Sequence, residues 1–111
     1  MFGHSTSACG AGESATVTGS HNTFLGTYAG KCASGSGGCN NFFGYDAGFQ
    51  NTSGGFNNFF GRAAGYLNTT GSYNNFLGKD AGYCNTTGCF NNFLVFFTGL
   101  ANTTGSNNIR N

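Results

Sequence analysis

The sequence has no proline and no tryptophan, and only 6% of its 111 residues are charged. So few charges exclude a charge-rich disordered tail. A formal net charge of +1 gives no electrostatic case for nucleic acid or an anionic membrane as partner. Long apolar runs are missing as well. Asn, Gly or Thr interrupts each of them well before the roughly 18 residues that a membrane-spanning helix needs. Glu, Lys, Leu and Gln are scarce, which argues against helices throughout. What is abundant is Gly, at 21 positions, and Phe, at 13. An all-β fold remains, or a low-complexity chain with no fixed fold.

Internal repetition separates these two. Alignment on the apolar residue after the Asn pair gives Phe24, Phe42, Phe59, Phe76, Phe93 and Ile109, at steps of 18, 17, 17, 17 and 16 residues. The best-kept unit, SYNNFLGKDAGYCNTTG, runs from Ser72 to Gly88, and GFNNFFGRAAGYLNTTG from Gly55 to Gly71 matches it at most positions. An insertion is placed between Ala33 and Gly38, and a deletion after Ser106. Residues 1–19 read as a divergent N-terminal repeat and residues 20–111 as the regular array, in a single domain.

A 17-residue unit is too short for paired helices or a propeller blade. It fits one coil of a β-solenoid (β-roll), with two short strands and two turns. About six coils at a rise of about 4.8 Å make a rod of roughly 30 Å. Gly closes the Asp-Ala-Gly and Asn-Thr-Thr-Gly turns, as expected where φ must be positive. One coil cannot bury its own apolar side, so stability comes from the coils above and below.

Alternation along a strand then assigns sides. The column Phe24, Phe42, Phe59, Phe76, Phe93 and Ile109 is expected inside as the core stack. The next column, Leu25, Phe43, Phe60, Leu77 and Leu94, faces outward as a continuous stripe. We read that stripe as an oligomer contact; a pleat distorted by the following Gly would instead tuck both side chains under a turn. Asn22, Asn40, Asn57, Asn74, Asn91 and Asn107 form one Asn column, and Asn41, Asn58, Asn75, Asn92 and Asn108 a second. Their amides are expected to hydrogen-bond along the stack. Phe49, Tyr66 and Tyr83 form a further aromatic ladder.

Five cysteines are present. Cys32 and Cys39, and likewise Cys84 and Cys89, flank the position of one turn, so disulfides Cys32–Cys39 and Cys84–Cys89 are expected in preference to zinc or free core thiols. Cys9 has no obvious partner. The same turns carry acceptor sequons at Asn51, Asn68, Asn85 and Asn102. These read equally as glycosylation sites or as turn-forming Asn and Thr. Both features point outside the cell, although residues 1–18 show no basic segment followed by an apolar run.

No catalytic residue, metal site or cofactor site is expected. The acids Glu13, Asp46 and Asp80 and the bases His4 and His21 are scattered, and no acid–base pair emerges. Asp46 and Asp80 share a repeat position that elsewhere holds Tyr28, Ala63 and Phe97, so they build no calcium ladder. His21 reads as a stacking residue. The run Gly35-Ser36-Gly37-Gly38 opens no helix and is no phosphate loop.

The motif Asn-Asn-Phe-Leu-Gly-x-x-Ala-Gly-Tyr-x-Asn-Thr-Thr-Gly resembles the Asn/Gly-rich repeats of bacterial and phage surface-fibre proteins. It is also similar to the β-roll heads of trimeric adhesins. The resemblance covers about residues 18–109 and implies an elongated, oligomeric extracellular fibre. Phe in the core strand departs from the Thr, Ala or Val usual there, and paired cysteines are unusual as well.

Three function classes follow. One is a structural filament protein whose partner is itself. The second is an ice-binding solenoid using ladders of Thr. The third is a phase-separating chain with Phe43-Gly44 and Phe60-Gly61 pairs, which the fixed register disfavours. For the filament, the contact is expected at the last coil. There Leu-Gly-Lys-Asp-Ala-Gly, at 77–82, becomes Leu-Val-Phe-Phe-Thr-Gly, at 94–99, so that Phe96 and Phe97 replace Lys79 and Asp80. The chain begins and ends within a repeat, with no polar cap expected over either open edge.

Overall fold

A computed structural model describes residues 5–6, 20–32 and 37–111. The described chain is all-β, a parallel β-solenoid whose seven short strands lie in one sheet in chain order. They are β1 (Ser5–Thr6), β2 (Thr23–Leu25), β3 (Asn41–Phe43), β4 (Asn58–Phe60), β5 (Asn75–Leu77), β6 (Asn92–Phe93) and β7 (Ile109–Arg110). Thr23 pairs with Asn41, 18 residues on, whereas Asn41 pairs with Asn58, 17 on. The longest dimension is 35 Å. Residues 7–19, with Cys9, and most of the Gly-rich insertion lie outside the described residues.

The core is a single file of rings. Phe24, Phe42, Phe59, Phe76 and Phe93 are 0–2% exposed. Neighbouring rings stack with centroids 4.8–5.0 Å apart and planes within 4–6° of parallel. Ala29, Ala47, Ala64 and Ala81 fill the space beside them. The rise of a parallel β-stack therefore sets the ring spacing, and each coil contributes one large apolar group to a core that it could not close alone.

Each coil contains one strand among the described residues, not two. After the strand, the chain runs through overlapping tight turns. In one coil Ala47 N–H donates to Gly44 O, Phe49 N–H to Asp46 O and Asn51 N–H to Gly48 O, at 3.0–3.2 Å. Positive φ recurs at Gly44, Asp46 and Gly48, which a strand cannot accommodate. The Asn-Thr-Thr-Gly side is a bend: the N–H groups of Thr69, Thr70 and Gly71 all converge on Thr86 O at 3.0–3.2 Å. Hydrogen bonds between coils thus continue around the whole circumference without a second ladder.

The turn glycines divide into two kinds. Gly65 has φ +62°, and a Cβ there would stand 2.4 Å from the Phe59 ring. Gly71 needs no unusual φ but must be small, because a Cβ would meet Gly88 O of the next coil at 2.4 Å. The expectation of positive φ therefore holds for the Ala-Gly turn alone.

The last repeat corrects the expected alignment. Asn92 pairs with Ile109 and Phe93 with Arg110, so the 17-residue step continues and nothing is deleted after Ser106. Ile109 is 72% exposed and is not a member of the core stack. Asn108, not Asn107, continues the inner Asn column, its N–H donating to Asn91 Oδ1 at 3.0 Å. Alignment on the nearest apolar residue misplaced this repeat because Arg110 occupies the ring position.

Phe59→Ala empties a ring position in mid-column. It should cost about 3–5 kcal/mol in denaturant unfolding. Phe60→Ala, next to it but facing outward, should cost markedly less.

Candidate functional site

Two Asn columns are sealed inside the coils. Asn40, Asn57, Asn74 and Asn91 make the same pair of contacts in turn. Asn57 Nδ2 donates across the coil to Gly71 O at 2.8 Å, and Asn57 Oδ1 accepts from Asn74 N–H of the next coil at 2.9 Å. This column bonds mainly to backbone; its one amide-to-amide step is at the end, where Asn108 Nδ2 donates to Asn91 Oδ1 at 3.0 Å. The sequon column does form an amide ladder: Asn68 Nδ2 donates to Asn51 Oδ1 (2.8 Å) and to Gly71 O (3.0 Å), and Asn85 repeats both contacts on the next rung. A third ladder, half-buried on the outer face, links Asn41, Asn58, Asn75 and Asn92 through bonds of 2.7–2.8 Å.

These contacts stand against the glycosylation reading. Asn51, Asn68 and Asn85 are 0–1% exposed. In Asn68 and Asn85 both amide hydrogens are engaged, so a glycan on Nδ2 would break two buried bonds and the stacking of adjacent coils. Asn102, on the last rung, is half-buried and donates to Asn85 Oδ1 and Gly105 O. The sequons are turn-closing ladders.

The expected disulfides are absent too. Cys32, Cys39, Cys84 and Cys89 are free thiols. Asn85 already closes the turn between Cys84 and Cys89 by donating to Gly88 O at 3.1 Å. Cys89 Sγ points along the stack, accepting from Ser72 N–H at 3.3 Å and donating to Thr87 O at 3.4 Å. Ser72 and Ser106 receive the equivalent backbone N–H groups in their coils. Cys89 therefore takes a serine's place, whereas Cys39 sits one column further on, with Phe56, Tyr73 and Phe90, at positive φ.

No group of three or more His, Cys, Asp or Glu that could hold a metal ion occurs among the described residues. No helix there is long and apolar enough to cross a membrane. Two regions of the surface stand out.

The first is the last coil. Leu94, Val95, Phe96, Phe97 and Leu100 are each 41–50% exposed. Phe96 and Phe97 pack against one another at 3.9 Å between centroids, and Lys79 Nζ lies 4.9 and 5.1 Å from their rings. Phe97 holds the left-handed position that Asp46 and Asp80 hold in earlier coils. Beside it, Gly99, Leu100, Ala101, Asn102 and Arg110 line an open hollow of about 270 Å³.

The second is the outer face of the sheet. Leu25 and Leu94 are exposed, and Phe43, Phe60 and Leu77 are half-buried, so the stripe runs from β2 to β6. Phe43 and Phe60 stack at 4.7 Å. A parallel aromatic column was not read as a surface feature from the sequence. Phe56, Tyr73 and Phe90 are 47–54% exposed and stack at 4.8–4.9 Å, although each has φ near +59°, which favours no aromatic residue. Its signal was available in the aromatic that precedes the Asn pair in three successive repeats. Phe49, Tyr66 and Tyr83 stack as expected, at 4.9 and 5.0 Å.

No protein-family model, curated protein or solved structure matches the chain.

Two predictions arise here. Unfolding without reductant and alkylating should modify all four of Cys32, Cys39, Cys84 and Cys89, as read by peptide mass mapping. The second concerns Asp46, whose Oδ1 is buried with no hydrogen-bond partner. Burial raises its carboxyl above the usual range, opposed by Arg62 and Lys31. The folded chain then holds this proton more tightly than the unfolded chain, so stability falls as pH rises from the ordinary carboxylate value through the raised one. Asp46→Asn should abolish that fall, leaving the variant more stable than the parent at neutral pH in thermal unfolding.

Proposed function

We propose that the chain is a structural protein that self-assembles into a filament by stacking solenoid upon solenoid, with the last coil as one contact surface. The observation that carries this reading is the change of Lys79 and Asp80 into Phe96 and Phe97 one coil later, which leaves two half-exposed rings in contact on a solvent-facing turn. Being about half exposed, each ring forgoes roughly half of the about 1.5–3 kcal/mol that full burial gives. A head-to-tail contact through this coil is heterologous and need not close, and an unclosed one propagates. The partner is the chain itself, and the role calls for no catalysis and no cofactor.

With the sequon amides engaged in ladders and the four described thiols free, an extracellular or cell- or virion-surface location rests on the likeness of the repeat to surface fibres. A trimeric adhesin segment would use the outer stripe in place of the coil end. Ice binding is less well supported. It needs a flat array of unengaged Thr hydroxyls, whereas Thr52, Thr69 and Thr86 donate theirs to the Thr69, Thr86 and Thr103 carbonyls at 3.1–3.3 Å. The Thr side of the coil is also a bend and not a strand.

Phe96→Lys combined with Phe97→Asp restores the polarity of the preceding coil. Electron microscopy and sedimentation should show filaments for the parent and folded monomers for the double variant. Equal assembly by both would place the contact elsewhere.

A further inference from the structure

We infer that the outer sheet face docks on the same face of a second copy, so that filaments of this chain associate in pairs. The inference rests on the filament reading above and concerns a different surface. Three parallel columns make up the face. The ladder of outward Asn amides runs along its middle, the Phe56–Tyr73–Phe90 column along one side, and the Leu25-to-Leu94 stripe along the other.

No Lys, Arg, Asp or Glu occupies any of the three columns; the charges of the middle coils, Arg62, Lys79, Asp46 and Asp80, sit on the turns beyond them. Two copies therefore meet without charge repulsion. In the central ladder each inner Asn uses one N–H and one acceptor lone pair along the stack. One donor and one acceptor remain on the Asn58 and Asn75 rungs, which are bonded on both sides. A row of this kind is complementary to itself, and only another β-stack repeats at the same rise of about 4.8 Å. The aromatic rings stack along the axis with planes 1–3° apart. They present edges outward, which suits interdigitation with another ladder better than a flat ligand laid on ring faces.

Size decides when pairing occurs. Four rises by four residue steps give a face on the order of 250 Å² per copy. Two such faces bury less than the roughly 1,200 Å² that a stable complex needs. A lone pair of chains does not hold, whereas copies joined end to end present the face continuously and their contacts sum.

The test is cryo-electron microscopy of filament width for the full chain and two variants. Phe60→Lys with Tyr73→Lys places a cation on each flanking column; Phe60→Leu with Tyr73→Phe keeps both apolar and controls for folding, alongside thermal unfolding of all three. Paired filaments, about twice one solenoid across, are expected for the parent and the conservative variant, and single filaments for the lysine variant. Single filaments from the parent, or pairs from the lysine variant, overturn the pairing and leave the filament reading standing. Absence of filaments from the parent overturns both.

Discussion

The one interaction on which the structure depends is the packing of each inward Phe ring against the ring of the next coil. A rise near 4.8 Å is imposed by parallel backbone hydrogen bonding and exceeds the contact thickness of a flat ring, so the rings stack offset. Everything at the same level of the coil must fit around that offset ring. Gly65 and its equivalents lie against it with no room for a methyl group, and Ala64 and its equivalents fill the remaining space. The regularity of Gly and Ala in the sequence follows from the size of Phe.

A core one ring wide leaves much of each coil interior to be filled by polar groups. Asn does this because its amide matches the backbone: one oxygen accepts the next coil's N–H, and one nitrogen reaches a carbonyl across the turn. Buried amides of this kind are costly unless fully partnered, and here partnership requires a neighbour above and below. Register is therefore enforced by polar satisfaction as much as by apolar burial. Such a stack has weak internal limits on length, which links its energetics to the proposed filament.

Much of this was legible in the sequence. The 17-residue spacing of Phe42, Phe59, Phe76 and Phe93 and their inward direction follow from period and alternation alone. What stayed hidden was the use made of polar residues. Asn68 and Asn85 read as sequons because Asn-Thr-Thr is the same string whether its amide faces water or a carbonyl, and only the three-dimensional turn tells them apart. Cys84 and Cys89 read as a bridge because proximity in sequence suggested a cross-link; the turn between them was already closed by Asn85. Phe56, Tyr73 and Phe90 escaped notice as a surface because left-handed backbone is not expected of aromatic residues. Ile109 misled for the opposite reason, since it is apolar but lies one place short of the ring column held by Arg110.

From Asn41 onward the coils are interchangeable units in 17-residue register. Deleting residues 55–71 removes one 17-residue unit and joins Gly54 to Ser72, whereas deleting 55–72 removes one residue more. Denaturant unfolding followed by circular dichroism compares them directly. The first deletion should leave a folded, cooperative, slightly less stable chain. The second should lose cooperative folding, because shifting one coil by one residue turns its Phe out and brings an outward residue in. Equal cooperativity for the two deletions would contradict a 17-residue register.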